Sequence, residues 1–154
     1  MQKKCLLFLL ILIFSCSVEE ESPDNTDPGI IPQKSIIIDG DDSDWDDIKA
    51  LISVTGQTAN VLKVTHDEQY IYFCITGSSL GPNYCLFIDA DAKYSTGYDF
   101  YNWENEGCDY LVENGILYKH TGTGWNWNSL GTSHIITAGN LSVIEIRISR
   151  IALN

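Results

Sequence analysis

The sequence predicts an all-β protein, an antiparallel sandwich of jelly-roll-like form. Three observations predict it. From Ser35 onward no stretch of twelve residues carries apolar groups at helical spacing. Short β-branched and aromatic runs recur instead, punctuated by Gly, Asn and Asp. Asn114-Gly115 stands between two alternating runs, the preferred two-residue type I′ hairpin turn. At 154 residues there is room for one domain.

The elements follow in chain order. Lys3 and Lys4 precede nine unbroken apolar residues, Leu6 to Phe14. That run is too short to span a bilayer as a helix, which needs about 20 residues, and has the length of a secretory leader. Residues 1–15 are therefore expected to be a signal peptide. Residues 16–34 are acidic, rich in Pro, Ser and Asp, and poor in apolar groups until Ile30, which predicts a flexible tether. Residues 35–154 are the expected sandwich. Ser35-Ile36-Ile37-Ile38 is its first expected strand, and Val61 to Thr65 its next. Asp67-Glu68-Gln69 turns into Tyr70 to Thr76, and a Gly-Pro-Asn loop leads to Tyr84 to Ile88. In the hairpin from Asp109 to His120 the register places Val112 opposite Leu117, Leu111 opposite Tyr118, and Asp109 opposite His120, close enough to couple. In Leu141 to Ile148, Ile144, Ile146 and Ile148 point one way, and Val143, Glu145 and Arg147 the other. Seven to nine short strands at this spacing make a sandwich of about 120 residues. Because the chain stops just after a strand, it is expected to lack its last strand or strands.

Charge narrows the partners. Nine basic against 21 acidic residues give −12, and removal of residues 1–15 takes away two lysines and no acids, leaving −14. Such a chain is a poor match for nucleic acid, which is bound by clustered Lys and Arg. Neutral sugars and cations remain open. Of the five cysteines, Cys74, Cys85 and Cys108 lie in the sandwich, an odd number that makes no disulfide framework, although one bridge is open to them. Haem is disfavoured: the only Met is residue 1, and no Cys-x-x-Cys-His occurs among the motifs that include His66, His120 and His134. No nucleophile elbow, triad order or phosphate loop is present, and a nearby carboxylate pair among Glu104, Glu106 and Glu113 is expected by chance alone, so no catalysis is predicted.

Two resemblances add to this reading. Ile13-Phe14-Ser15-Cys16 resembles the lipobox of bacterial lipoproteins, which implies cleavage after Ser15 and a lipid on Cys16. Glu19-Glu20-Glu21 resembles the acidic export signal of surface lipoproteins in Bacteroidetes-type bacteria, which implies the outer membrane and display at the cell surface. In the sandwich, three segments carry the likeness. They are Ile38-Asp39-Gly40 with Asp44-Trp45; Val64 to Glu68 leading into Tyr70 to Phe73; and Leu86 to Asp91 with Gly97, Gly107 to Tyr110 and Glu113 to Gly115. In that order, over roughly residues 35 to 150, they are similar to family 9 carbohydrate-binding modules and the wider DOMON-like superfamily. The likeness implies a jelly-roll-like sandwich, sugar binding in one branch, structural calcium in many members, and no catalysis. It also implies that Trp45 belongs to the structural signature and that a pair of aromatic residues clamps the sugar.

The candidate residues have matching chemistry. Sugar rings offer flat C–H faces and a rim of hydroxyls, which aromatic faces and amide or carboxylate side chains answer. Trp103, Trp125 and Trp127 lie in Gly- and Asn-rich stretches beside Tyr101, Asn102, Glu104 and Asn126. The expected clamp is Trp103 with Trp125 or Trp127. Two rings each hiding about 50–80 Å² yield roughly 3–4 kcal/mol, near-millimolar binding before hydrogen bonds. Such a module works by avidity or tethering. Asp89, Asp91 and Asp99, with Asp109 from the next strand, are the expected ligands of a structural Ca²⁺, Gly97 allowing the turn. The six carboxylates between Asp39 and Asp47 are a second, weaker calcium candidate, with Trp45 plugging the core beneath them. The expected function is a non-catalytic carbohydrate-binding module on a lipid-anchored envelope protein. The alternative is an envelope structural or assembly protein using the same fold to bind a protein.

Overall fold

The computed structural model describes residues 7–11, 31–100 and 107–154. Ten strands form two five-stranded sheets. One holds Leu7–Ile11 (β1), Cys85–Asp89 (β5), Tyr110–Glu113 (β6), Ile116–His120 (β7) and Trp127–Gly131 (β8), in the order β1-β5-β6-β7-β8. The other holds Ala50–Ser53 (β2), Ala59–His66 (β3), Tyr70–Gly77 (β4), Ile135–Gly139 (β9) and Val143–Ser149 (β10), in the order β2-β3-β4-β10-β9. Among the described residues every pairing between these strands is antiparallel except β1 with β5, which is parallel. The only helical elements among the described residues are two single 3₁₀ turns, Asp42–Trp45 and Arg150–Leu153. The all-β sandwich is thus present.

Alternation builds the core. Leu62 and Val64 of β3, Ile71, Phe73 and Ile75 of β4, and Ile144, Ile146 and Ile148 of β10 meet Leu86 and Ile88 of β5, Val112 of β6 and Leu117 of β7 between the sheets. The register of the Asn114-Gly115 hairpin is the expected one: Val112 opposes Leu117 and Leu111 opposes Tyr118. Asn114 at φ 53° and Gly115 at φ 80° occupy the left-handed region that a type I′ turn requires.

Both outer faces are covered as well. Tyr72, Cys74 and Val143 on the outside of the second sheet pack under Ile36, Trp45 and Ile48. Cys85, Phe87 and Leu111 on the outside of the first pack under Cys108, with Tyr98, Phe100, Tyr118 and Trp127 partly buried against them. Burial pushes the Cys74 thiol up to about 12, the Glu145 and Asp42 charges adding to it. Cys85 is disulfide-bonded.

One expected strand needs correction, and the structure adds contacts that were not expected. Ser35 to Ile38 is extended but is not a strand. Its neighbourhood is held by side chains: the Ile37 N–H donates to Asp44 Oδ2, and those of Asp39 and Gly40 donate to Glu145 Oε2. Among the described residues, contacts with the sandwich reach back to Ile31. Ile31 lies against the core, Gln33 bridges His66, and the Thr65 hydroxyl donates to the Pro32 carbonyl. The strands β2, β8 and β9 were not expected; β2 and β9 lie at the edges of the second sheet and β8 at an edge of the first, where polar residues dilute the alternation. Leu7–Ile11, inside the expected signal peptide, is here paired with β5 from Leu7 opposite Cys85 to Ile11 opposite Asp89. No helix among the described residues is long and apolar enough to cross a membrane.

Candidate functional site

Two features stand at the end of β5 and over the first sheet's outer face. The first is a carboxylate group. β5 ends at Asp89, which is 2% exposed, and Asp109 directly precedes β6, its paired neighbour. A tight loop folds Asp91 back: the N–H groups of Asp91 and Ala92 donate to Asp89 Oδ1 at 3.2 and 2.8 Å, with Ala92 at φ 55°. Asp89, Asp91 and Asp109 each bring a carboxylate oxygen within 4.8 Å of the others, a group able to hold a metal ion. Asp109 and Asp91 are shifted in opposite directions. Burial raises the Asp109 carboxyl above its ordinary range, and the charges of Asp91 and Asp89 add to this against the bond from the Ala90 N–H. At Asp91 burial also pulls upward, but bonds from the Thr96 hydroxyl and the Lys93 N–H, with the Lys93 charge, win and lower it. Asp99, the fourth expected ligand, is exposed and outside this group. The acidic stretch from Asp39 to Asp47 forms no comparable group among the described residues. There Asp39 and Asp41 accept backbone N–H bonds and Asp47 pairs with Lys34.

The second feature is an aromatic cluster. Trp125 lies in the loop before β8, Trp127 begins that strand, and their ring centroids are 5.5 Å apart at 75°. Trp125 stands edge to face with Tyr98 at 4.9 Å, and Tyr98 with Phe100 at 4.8 Å. Phe100 meets Phe87 at 4.8 Å, and His120 meets Trp127 at 4.9 Å. Such edge-on contacts hold rings in fixed orientation. Trp125 is 56% exposed, while Trp127 is half-buried and its Nε1–H has no partner among the described residues. Asn126 fastens the loop: its carbonyl accepts from the N–H of Thr121, and its Nδ2 donates to the Thr123 carbonyl. The His120 N–H donates to the Asp109 carbonyl at 2.8 Å, while its ring is bonded elsewhere. Its Nε2 meets the Gly124 carbonyl at 2.7 Å and its Nδ1 accepts from the Gly122 N–H. Tyr101, Asn102, Trp103, Glu104 and Cys16 lie outside the described residues.

The two features are joined. Tyr98 and Cys108 exchange backbone hydrogen bonds of 2.8 and 3.0 Å between the loop after Asp91 and the residue before Asp109. The approach is so close that a Cβ at Gly97, whose φ is 72°, would lie 2.6 Å from the Cys108 carbonyl. Tyr98, which packs edge to face on Trp125, is thus tied by backbone bonds to the residue next to Asp109. Phe87 and His120 were missed as members of the cluster. The signal for Phe87 was available, since in β5 it alternates with the core residues Leu86 and Ile88. That for His120 was not, because its contact with Trp127 crosses between strands.

A cavity of about 470 Å³ lies elsewhere, at the opposite end of the β5–β6 pair beside Asn114, Tyr84 and Leu141. Its amides are engaged: Asn114 Oδ1 accepts from the Tyr84 N–H and Asn140 Oδ1 from those of Ser142 and Val143. Comparison of the chain with family models, curated proteins and solved structures finds no match.

Proposed function

We propose that the protein is a non-catalytic carbohydrate-binding module, carried on a bacterial envelope lipoprotein through Cys16, that stacks a sugar ring on Trp125. The observation that supports this most is a tryptophan with more than half its surface open to solvent and its edges held by Tyr98 and Trp127. A ring immobilised before the ligand arrives loses little entropy on binding. The Asp89, Asp91 and Asp109 group takes Ca²⁺, a hard cation suited to carboxylate oxygens, and in this reading the ion is structural, stiffening the loop beneath the platform. The resemblance to family 9 modules points the same way. One flat ring face gives affinity weaker than millimolar, which a lipid-tethered array raises by avidity.

The test is a glycan panel followed by tryptophan fluorescence. A saturable change with at least one neutral glycan, lost in Trp125→Ala while the fold is kept, is the expected outcome. A folded protein that answers no glycan overturns the sugar reading and favours a protein partner on the same face.

A further inference from the structure

The second sheet carries on its outer face a polar pocket that the sugar reading does not involve. It is a cavity of about 260 Å³ lined by Tyr70, Thr132, Ser133, His134, Arg147 and Ser149, together with Ile135 and Ile136. Arg147 projects from β10 away from the core, between Tyr72 of β4 and Ile136 of β9 in the ladder. Its guanidinium carbon lies 4.3 Å from the centre of the Tyr70 ring, so the planar fork is stacked and oriented. Among the described residues no carboxylate forms an ion pair with it; the two ion pairs present are Lys34 with Asp47 and Lys93 with Asp91. In a chain with 21 acids and nine bases, a half-buried guanidinium left without an acid is unexpected. The other lining groups are in the same condition. The His134 ring and the Thr132, Ser133 and Ser149 hydroxyls make no side-chain hydrogen bond among the described residues, whereas the backbone around them is paired, Ser149 N–H to the His134 carbonyl and Ile135 N–H to the Thr132 carbonyl. The pocket thus converges hydrogen-bond donors that no described residue uses. The 470 Å³ cavity, with its amides engaged, is the contrast.

We infer that this pocket is a binding site for a small organic carboxylate, held bidentately by Arg147 and completed by hydroxyls of the turn between β8 and β9. A guanidinium fork matches the two oxygens of a carboxylate. One guanidinium in a molecule of net charge −12 suits a single negative charge better than the two of phosphate or sulfate. The inference is independent of the Trp125 platform, which lies over the other sheet.

The experiment is an amide-shift titration of the full chain with sodium acetate and sodium glucuronate, against glucose and sodium chloride as controls. The expected result is saturable movement of the amides of 133–136 and 147–149 with both carboxylates and with neither control. Arg147→Gln weakens binding at least tenfold, while Trp125→Ala leaves it unchanged. Arg147→Lys, which keeps the charge and the stem but loses the fork, weakens it several-fold and serves if the Gln variant does not fold. Shifts that survive in R147K at full affinity, that chloride reproduces, or that sulfate produces more tightly than acetate overturn the proposal.

Discussion

At the scale of single residues, Asp109 has the clearest consequence. Its carboxyl is half-buried against Asp89 and Asp91, and its pKa is raised by that burial and those charges. A raised folded-state pKa means relative stability that is full below the unfolded value, about 3.9, and is lost as pH rises through the folded one. At neutral pH the metal-free group is therefore under repulsion. A cation relieves it. Calcium at a hundredfold excess over its Kd is expected to add about 2.7 kcal/mol, a rise in Tm of about 5–10 °C. Asp109→Asn should leave the metal-free protein no less stable and remove the calcium response, both read by thermal unfolding with and without chelator. An unchanged melt of the native chain on adding Ca²⁺ would sink the assignment. The spacing Asp89-Ala90-Asp91 and the place of Asp109 before its strand were legible in the sequence. The exclusion of Asp99 was not, because Gly97 and Ala92 turn the loop by backbone angles that the residue order does not specify.

At the scale of elements, the segment from Ile36 to Ile48 shows why an isoleucine run need not be a strand. Ile36 and Ile38 face the second sheet and Ile37 is 67% exposed, so the alternation is real. It crosses the outer face of a sheet rather than joining its edge, and its N–H groups go to carboxylates. Glu145 is the principal one. It is fully buried and accepts from the Asp39 and Gly40 N–H groups at 3.0 and 2.6 Å and from Trp45 Nε1 at 2.8 Å. Glu145→Ala would leave three donors unsatisfied, each costing about 1–3 kcal/mol. The expected loss is about 3 kcal/mol or more, seen as a lower urea midpoint with a red shift of Trp45 emission. A loss under 1 kcal/mol would show that the segment is held by packing alone. Sequence alternation put Glu145 opposite the core, but its partners lie about a hundred positions away.

At the scale of the molecule, the parallel strand β1 changes what the first sheet is. β5 is buried on both faces and has β6 on one side and Leu7–Ile11 on the other. Cleavage after Ser15, which the lipobox resemblance implies, would remove that neighbour and open a row of backbone donors and acceptors. In a chain lacking residues 1–15, alternate amides of Cys85 to Asp89 are expected to exchange with solvent about tenfold faster or more than in the full chain. Equal rates would mean that β1 does not protect β5 in solution. Because the mature chain would carry −14, an edge so opened would be kept from self-pairing by repulsion between copies.

By itself the sequence determined the fold class, the hairpin register and the inward set of the main strands, because period-two alternation and the positive-φ demand of Asn-Gly are local properties. Only the tertiary structure decided which carboxylates converge, that Trp125 stays open while Trp127 is half-buried, and that among the described residues Arg147 stands without an acid in a hydroxyl-lined pocket. Those outcomes depend on distances between strands far apart in the chain, and no local pattern encodes them.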